Sequence, residues 1–122
     1  MAYDQFLADR IRRVLTEKKV IFKEKAMMGG LVFSVDEKML CGIHVDKKSG
    51  QSLLMARVGE ESYKLHIERE ECLPMDFTGR PMKGYLFITP MGFDMDEELA
   101  YWIQLALDYN PLAKSSQKRK RP

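Results

Sequence analysis

Between Val20 and Val58 the side chains follow a period of two in four successive runs, and the breaks between those runs are a few residues long. No other pattern in the chain constrains the fold as much, because such short connections join antiparallel neighbours. The first run places Val20 and Phe22 on one side, with Glu24 continuing it, and Ile21, Lys23 and Lys25 on the other. Met28-Gly29-Gly30 reads as a turn or bulge, and Leu31 to Val35 as a second strand rich in β-branched and aromatic residues. Asp36-Glu37-Lys38 makes a tight polar connection into a third strand, Met39 to Val45. The charged turn Asp46-Lys47-Lys48-Ser49-Gly50 leads to a fourth, from Ser52 to Val58. A meander of this kind has an apolar face that other elements must cover.

Two amphipathic helices at the ends of the chain supply the cover. Asp4 is placed to cap the first, in which Phe6, Leu7, Ile11, Val14 and Leu15 form an apolar stripe and Asp9 stands four residues before Arg13 as an ion-pair partner. It ends near Lys18 or Lys19. Asp94, three residues before Glu97, predicts a capping box for the last helix. Leu99, Trp102, Ile103, Ala106 and Tyr109 make its stripe, and Asn110-Pro111 ends it. Between these helices, Gly59-Glu60-Glu61 opens a short helical segment through Tyr63, Leu65 and His66, and Glu68-Arg69-Glu70-Glu71 reads as a solvated loop. Tyr85 to Thr89 is a fifth strand, stopped by Pro90 and Gly92. The expectation is an α+β domain over residues 1–113: an antiparallel sheet of about five strands, in two layers, covered on one face by the N- and C-terminal helices.

Composition agrees with one such core: 45% of the 122 residues are hydrophobic, including one Trp, five Tyr and six Phe. The formal net charge of +2 conceals an asymmetry. Lys114, Lys118, Arg119, Lys120 and Arg121 put five of the twenty cations in a tail, residues 114–122, that holds no acid. Residues 1–113 therefore carry fifteen cations against eighteen acids, and the basic balance says nothing about the folded surface. The tail is expected to be disordered. The N-terminal Met-Ala-Tyr-Asp-Gln has no basic start leading into an apolar stretch, and no apolar run approaches the roughly 20 residues of a membrane span. A cytoplasmic protein without membrane contact, with Cys41 and Cys72 as reduced thiols, is expected.

The stretch Met75-Asp76-Phe77-Thr78-Gly79-Arg80-Pro81-Met82-Lys83-Gly84-Tyr85 is over-specified for a spacer. Gly79 admits backbone angles other residues avoid, Pro81 restricts itself and Arg80, and Gly84 lets another segment approach closely. Together with Ala2-to-Arg12, Met27-Met28-Gly29-Gly30-Leu31-Val32-Phe33, Met39-Leu40-Cys41-Gly42 and Leu54-Met55-Ala56-Arg57-Val58-Gly59, it resembles the TfoX N-terminal domain family, related to the TfoX/Sxy regulators of natural competence, over roughly residues 2–110. The resemblance implies a two-layer fold similar to that of secretion chaperones and a regulatory, non-enzymatic role without catalytic residues. It also implies a stand-alone N-terminal module, since full-length competence regulators of the family carry a second, C-terminal helical domain.

Individual residues allow sharper readings. Cys41 and His44 have C-x-x-H spacing, and His66 and Cys72 could form the other half of a zinc site. Residues three apart on a strand point to opposite faces, however, so packing is the expected role and no metal or cofactor is predicted. Arg57, Arg80 and Lys83 form a candidate anion or partner site, with hydrogen bonding of Arg80 to its own loop as the competing reading. Met27, Met28, Met75, Met82 and Met91 fall around predicted loops, as gap fillers or as an adaptable binding patch. Lys114, Lys118, Arg119, Lys120 and Arg121 are candidate contacts for weak, salt-sensitive nucleic-acid binding. The leading expectation is a regulatory module that acts through protein contacts and self-associates as a homodimer. A nucleic-acid-associated protein, or a small-anion binder or enzyme around Arg57, Arg80 and Lys83, are the alternatives.

Overall fold

A computed structural model describes residues 4–27, 29–74 and 84–113. Its elements in chain order are α1 (Gln5–Glu17), β1 (Lys23–Met27), β2 (Gly30–Val35), β3 (Lys38–Val45), β4 (Ser52–Arg57), α2 (Gly59–His66), β5 (Cys72–Pro74), β6 (Tyr85–Ile88) and α3 (Asp96–Tyr109). Short 3-10 turns at Pro90–Gly92 and Asn110–Leu112 flank α3. The six strands form one open antiparallel sheet in the order β1-β2-β3-β4-β6-β5. The α+β architecture is the expected one, with one strand more than the sequence indicated. That strand, β5, is three residues ending in proline, too short to show an alternation, and it exists through its pairing of Leu73 with Phe87.

Local chemistry explains most boundaries. The Asp4 carboxylate accepts from the N–H groups of Phe6 and Leu7, and α1 closes with Lys19 at φ 60 while the Val20 N–H donates to the Leu15 carbonyl at 3.0 Å. Because Val20 is engaged in ending the helix, the first strand begins at Lys23 and not at Val20. Phe6 also departs from expectation: it is 71% exposed, and Ala8 takes the buried position beside Leu7, Ile11 and Leu15. Asp9 pairs with Arg12, not Arg13, and Arg12 extends further to Glu24 on β1. Asp36 and Glu37, both at positive φ, form the two-residue turn between β2 and β3. The box at the start of α3 sits one residue later than predicted, with the Met95 N–H donating to Glu98 Oε1 at 3.1 Å.

Strand register sorts the side chains into two layers. Toward the helices point Leu31, Phe33, Cys41, Ile43, Leu54, Ala56, Leu86 and Ile88, and a bulge opposite Phe33 and Ser34 adds Leu40. These pack with Leu7, Ile11 and Leu15 of α1 and Leu99, Trp102, Ile103 and Ala106 of α3 into one core. Each fully buried aliphatic or aromatic side chain of this kind is worth about 1.5–3 kcal/mol against leaving it in water. Arg10 locks the two helices, donating to the carbonyls of Phe93 at 2.8 Å and Asp94 at 3.2 Å. At the far end of α3, Lys38 donates to the Asn110 carbonyl and the Asn110 amide donates to Val35.

The opposite face of the sheet carries its own apolar row. Lys25, Val32, Gly42, Met55, Phe87 and Leu73 are paired in succession across all six strands. Leu53, Met55 and Phe87 make a second buried cluster there, with Val32, Met39 and Tyr85 packed against it.

Candidate functional site

Arg57 ends β4 and pairs in register with Tyr85 on β6. Its guanidinium lies 5.4 Å from the centre of the Tyr85 ring and 6.0 Å from that of Tyr109 on α3, so two aromatic faces position one cation. The backbone beside it is equally constrained. The Gly84 carbonyl accepts from the N–H groups of both Val58 and Gly59, at 2.8 and 3.1 Å, which seats the start of α2 on the start of β6. Gly84 therefore does what the sequence suggested, letting another segment approach its backbone. Next to this junction, Val58, Gly59, Glu60, Glu61, Leu105 and Tyr109 line a cleft of about 260 Å³. Carboxylates share this corner with Arg57, which makes it mixed in charge. Arg80 and Lys83, the other members of the candidate site, lie outside the described residues, as do Met28, Met75, Met82 and the tail cations Lys114, Lys118, Arg119, Lys120 and Arg121.

A second constellation, which the sequence reading did not assemble, joins α2 to α3. His66 is buried, with Nδ1 2.7 Å from the Ser62 carbonyl and Nε2 2.6 Å from the Tyr101 hydroxyl. Arg69 places its guanidinium 5.7 Å from the Tyr101 ring centre and 5.6 Å from that of Trp102. The Trp102 indole N–H donates to the Gly92 carbonyl at 2.9 Å. His66 and Tyr101 are 35 positions apart, so only the packing of α2 on α3 brings them together. The available signal was that a lone histidine at the end of a short amphipathic helix needs polar partners when buried.

The imagined zinc site does not assemble around Cys41 and His44. Cys41 points into the core, where burial pushes its thiol up to about 12, while His44 lies on the other face with its ring stacked on Phe87 at 4.8 Å and 8°. Burial holds the His44 imidazole below its ordinary pKa, against a smaller opposing effect of Asp46. Cys72 on β5 is pushed up to about 11 by burial and by Glu71. Of the five methionines expected around loops, Met27 is the last residue of β1 and Met91 is exposed, and Met95 beside α3 is exposed as well.

A family model, the TfoX N-terminal domain, matches residues 20–109. The chain belongs to the TfoX N-terminal domain family. The match begins at the end of α1 and closes on Tyr109, the last residue of α3, so it takes in the whole sheet, the Arg57 corner and the His66 constellation. α1 itself falls outside it. No curated protein and no solved structure matches the chain. Among the described residues of this TfoX N-terminal domain protein, no helix is long and apolar enough to cross a membrane.

Proposed function

We propose that this TfoX N-terminal domain protein is a non-enzymatic interaction module that serves transcriptional regulation through protein contacts, works in the cytoplasm and self-associates as a homodimer. The observation that carries the reading is the sheet face turned away from the helices. An antiparallel sheet meeting water on one side alternates apolar with polar residues. Here Val32, Met55, Phe87 and Leu73 stand in one transverse row, Leu53 and Met39 lie beside it, and Leu73 at the edge is 41% exposed. The row is buried at Leu53, Met55 and Phe87 and opens at the sheet edge on Leu73, and that open apolar edge suits a two-fold contact between copies. Membership of the family supports the regulatory part of the reading.

Sedimentation of the full chain over a range of concentrations tests it. The expected result is a reversible dimer whose dissociation constant rises at least tenfold in Val32→Asp or Leu73→Asp while the fold is retained. A monomer at about 100 μM, or a dimer indifferent to both changes, removes the self-association reading. Tight sequence-selective DNA binding that survives removal of residues 114–122 would replace the protein-contact reading by a nucleic-acid one.

A further inference from the structure

We infer that Tyr101 is an activated surface phenol: a covalent modification site for tetrahedral electrophiles of the phosphoryl class, with His66 as its base and Arg69 as the cation beside it. The hydrogen-bond chemistry fixes the roles. The Ser62 carbonyl can only accept, so His66 Nδ1 carries the proton of that 2.7 Å contact. In the neutral ring Nε2 is then an acceptor, and the Tyr101 hydroxyl 2.6 Å away is its donor. A carbonyl thus orients an imidazole, which in turn holds the proton of a nucleophile. This is the arrangement that activates hydroxyl groups for group transfer.

Exposure completes the case. His66 is 5% exposed and Tyr101 41%, so the base is shielded from water while the tyrosine is partly open to solvent. Arg69, 45% exposed and paired with Glu71 at 3.8 Å, lies over the Tyr101 ring and puts a cation beside the phenol for an anionic group to meet. In the transfer, Tyr101 Oη bonds to the phosphorus of an activated phosphoryl donor. The bond from phosphorus to the leaving group breaks and takes its electron pair, and the phenolic proton passes to His66 Nε2. The product can no longer donate to that nitrogen, so modification at Oη removes this hydrogen bond between α2 and α3, and the site has a built-in readout.

The test treats the native full chain with an arylsulfonyl fluoride, which forms an O–S bond to tyrosine and releases fluoride, and in parallel with acetyl phosphate. Modified tyrosines are located by peptide mass spectrometry. Expected is sulfonyl labelling of Tyr101 at least fivefold above Tyr63, Tyr85 and Tyr109, abolished at that peptide by Tyr101→Phe and reduced at least fivefold by His66→Gln, which keeps an acceptor but supplies no base. Acetyl phosphate is expected to modify the same residue, and the modified chain to exchange the amides of residues 59–66 faster. If His66→Gln fails to fold, Arg69→Gln at its exposed position decides, with an expected fall of at least twofold. Equal labelling of Tyr63, Tyr85, Tyr101 and Tyr109, or Tyr101 labelling indifferent to the folded variants, overturns the inference. Sulfonyl labelling without phosphorylation overturns the phosphoryl assignment.

Discussion

Gly59 and Gly84 meet backbone to backbone: a Cβ on Gly84 would stand 3.4 Å from the carbonyl carbon of Gly59, and both residues hold positive φ, +90 and +94. The contact joins the start of α2 to the start of β6, yet the two glycines have different surroundings. A Cβ on Gly84 meets ordinary contacts, whereas one on Gly59 falls 2.6 Å from the Tyr109 ring. Gly84→Ala is therefore expected to cost about 1–2 kcal/mol, from backbone conformation alone. Gly59→Ala is expected to cost about 2–4 kcal/mol, as overpacking adds to the same strain. Urea unfolding of both variants measures the difference, and equal costs would show that the Tyr109 ring yields freely.

Gly42 is required for a different reason, the space above it. A Cβ there would lie 2.4 Å from the Leu31 carbonyl oxygen and 2.8 Å from Met55 Cε, and a strand backbone cannot move aside as a side-chain end can. Gly42→Ala is expected to lose about 3 kcal/mol, and only slightly less in a Met55→Ala background. A double-mutant cycle by chemical denaturation checks both statements.

Arg10 and Asp96 form an ion pair whose two halves are unequal. The Arg10 side chain is 12% exposed and also serves two backbone carbonyls, while Asp96 is 80% exposed. Arg10→Ala is expected to cost about 1.5–3 kcal/mol and Asp96→Asn less than about 1 kcal/mol. Thermal melts at low and high salt distinguish them, since the larger loss should be nearly insensitive to salt.

His44 gives stability a pH dependence. Burial lowers its folded pKa below the ordinary imidazole value, so between those two values the unfolded chain binds more protons than the folded one. This contribution is complete above the ordinary value and is lost as pH falls toward the lowered one. Stability measured from pH 7.5 down to 5 should decline for the native chain and decline less for His44→Gln.

The two thiols should be inert while the fold holds, because burial keeps both in the protonated form, Cys41 at about 12 and Cys72 at about 11. An aromatic disulfide reagent at pH 8 is expected to titrate neither in the native chain and both in denaturant. Rapid native reaction of Cys41 would contradict its place in the core.

Local residues announced most of the architecture. The Asp4 cap, the Asp36-Glu37 turn and the four alternating runs act over a few positions, so their chemistry is visible in the order of side chains. Phe6 misled because hydrophobic spacing alone does not say which edge of a stripe meets the sheet, and Ala8 fitted the closer contact. At the candidate site Arg57 was legible as a strand-end cation, but its tyrosines come from β6 and α3. The His66–Tyr101 pair was not legible, since neither residue carries a spacing that refers to the other.

The sequence by itself determined an antiparallel sheet with amphipathic terminal helices on one face, through the period of its side chains and its short connections. The tertiary structure alone decided that Cys72–Pro74 pairs as an edge strand, that Gly84 seats α2, and that a buried imidazole holds a surface phenol. Those contacts join segments 12 to 35 residues apart, and their geometry follows from how the layers pack rather than from any local preference.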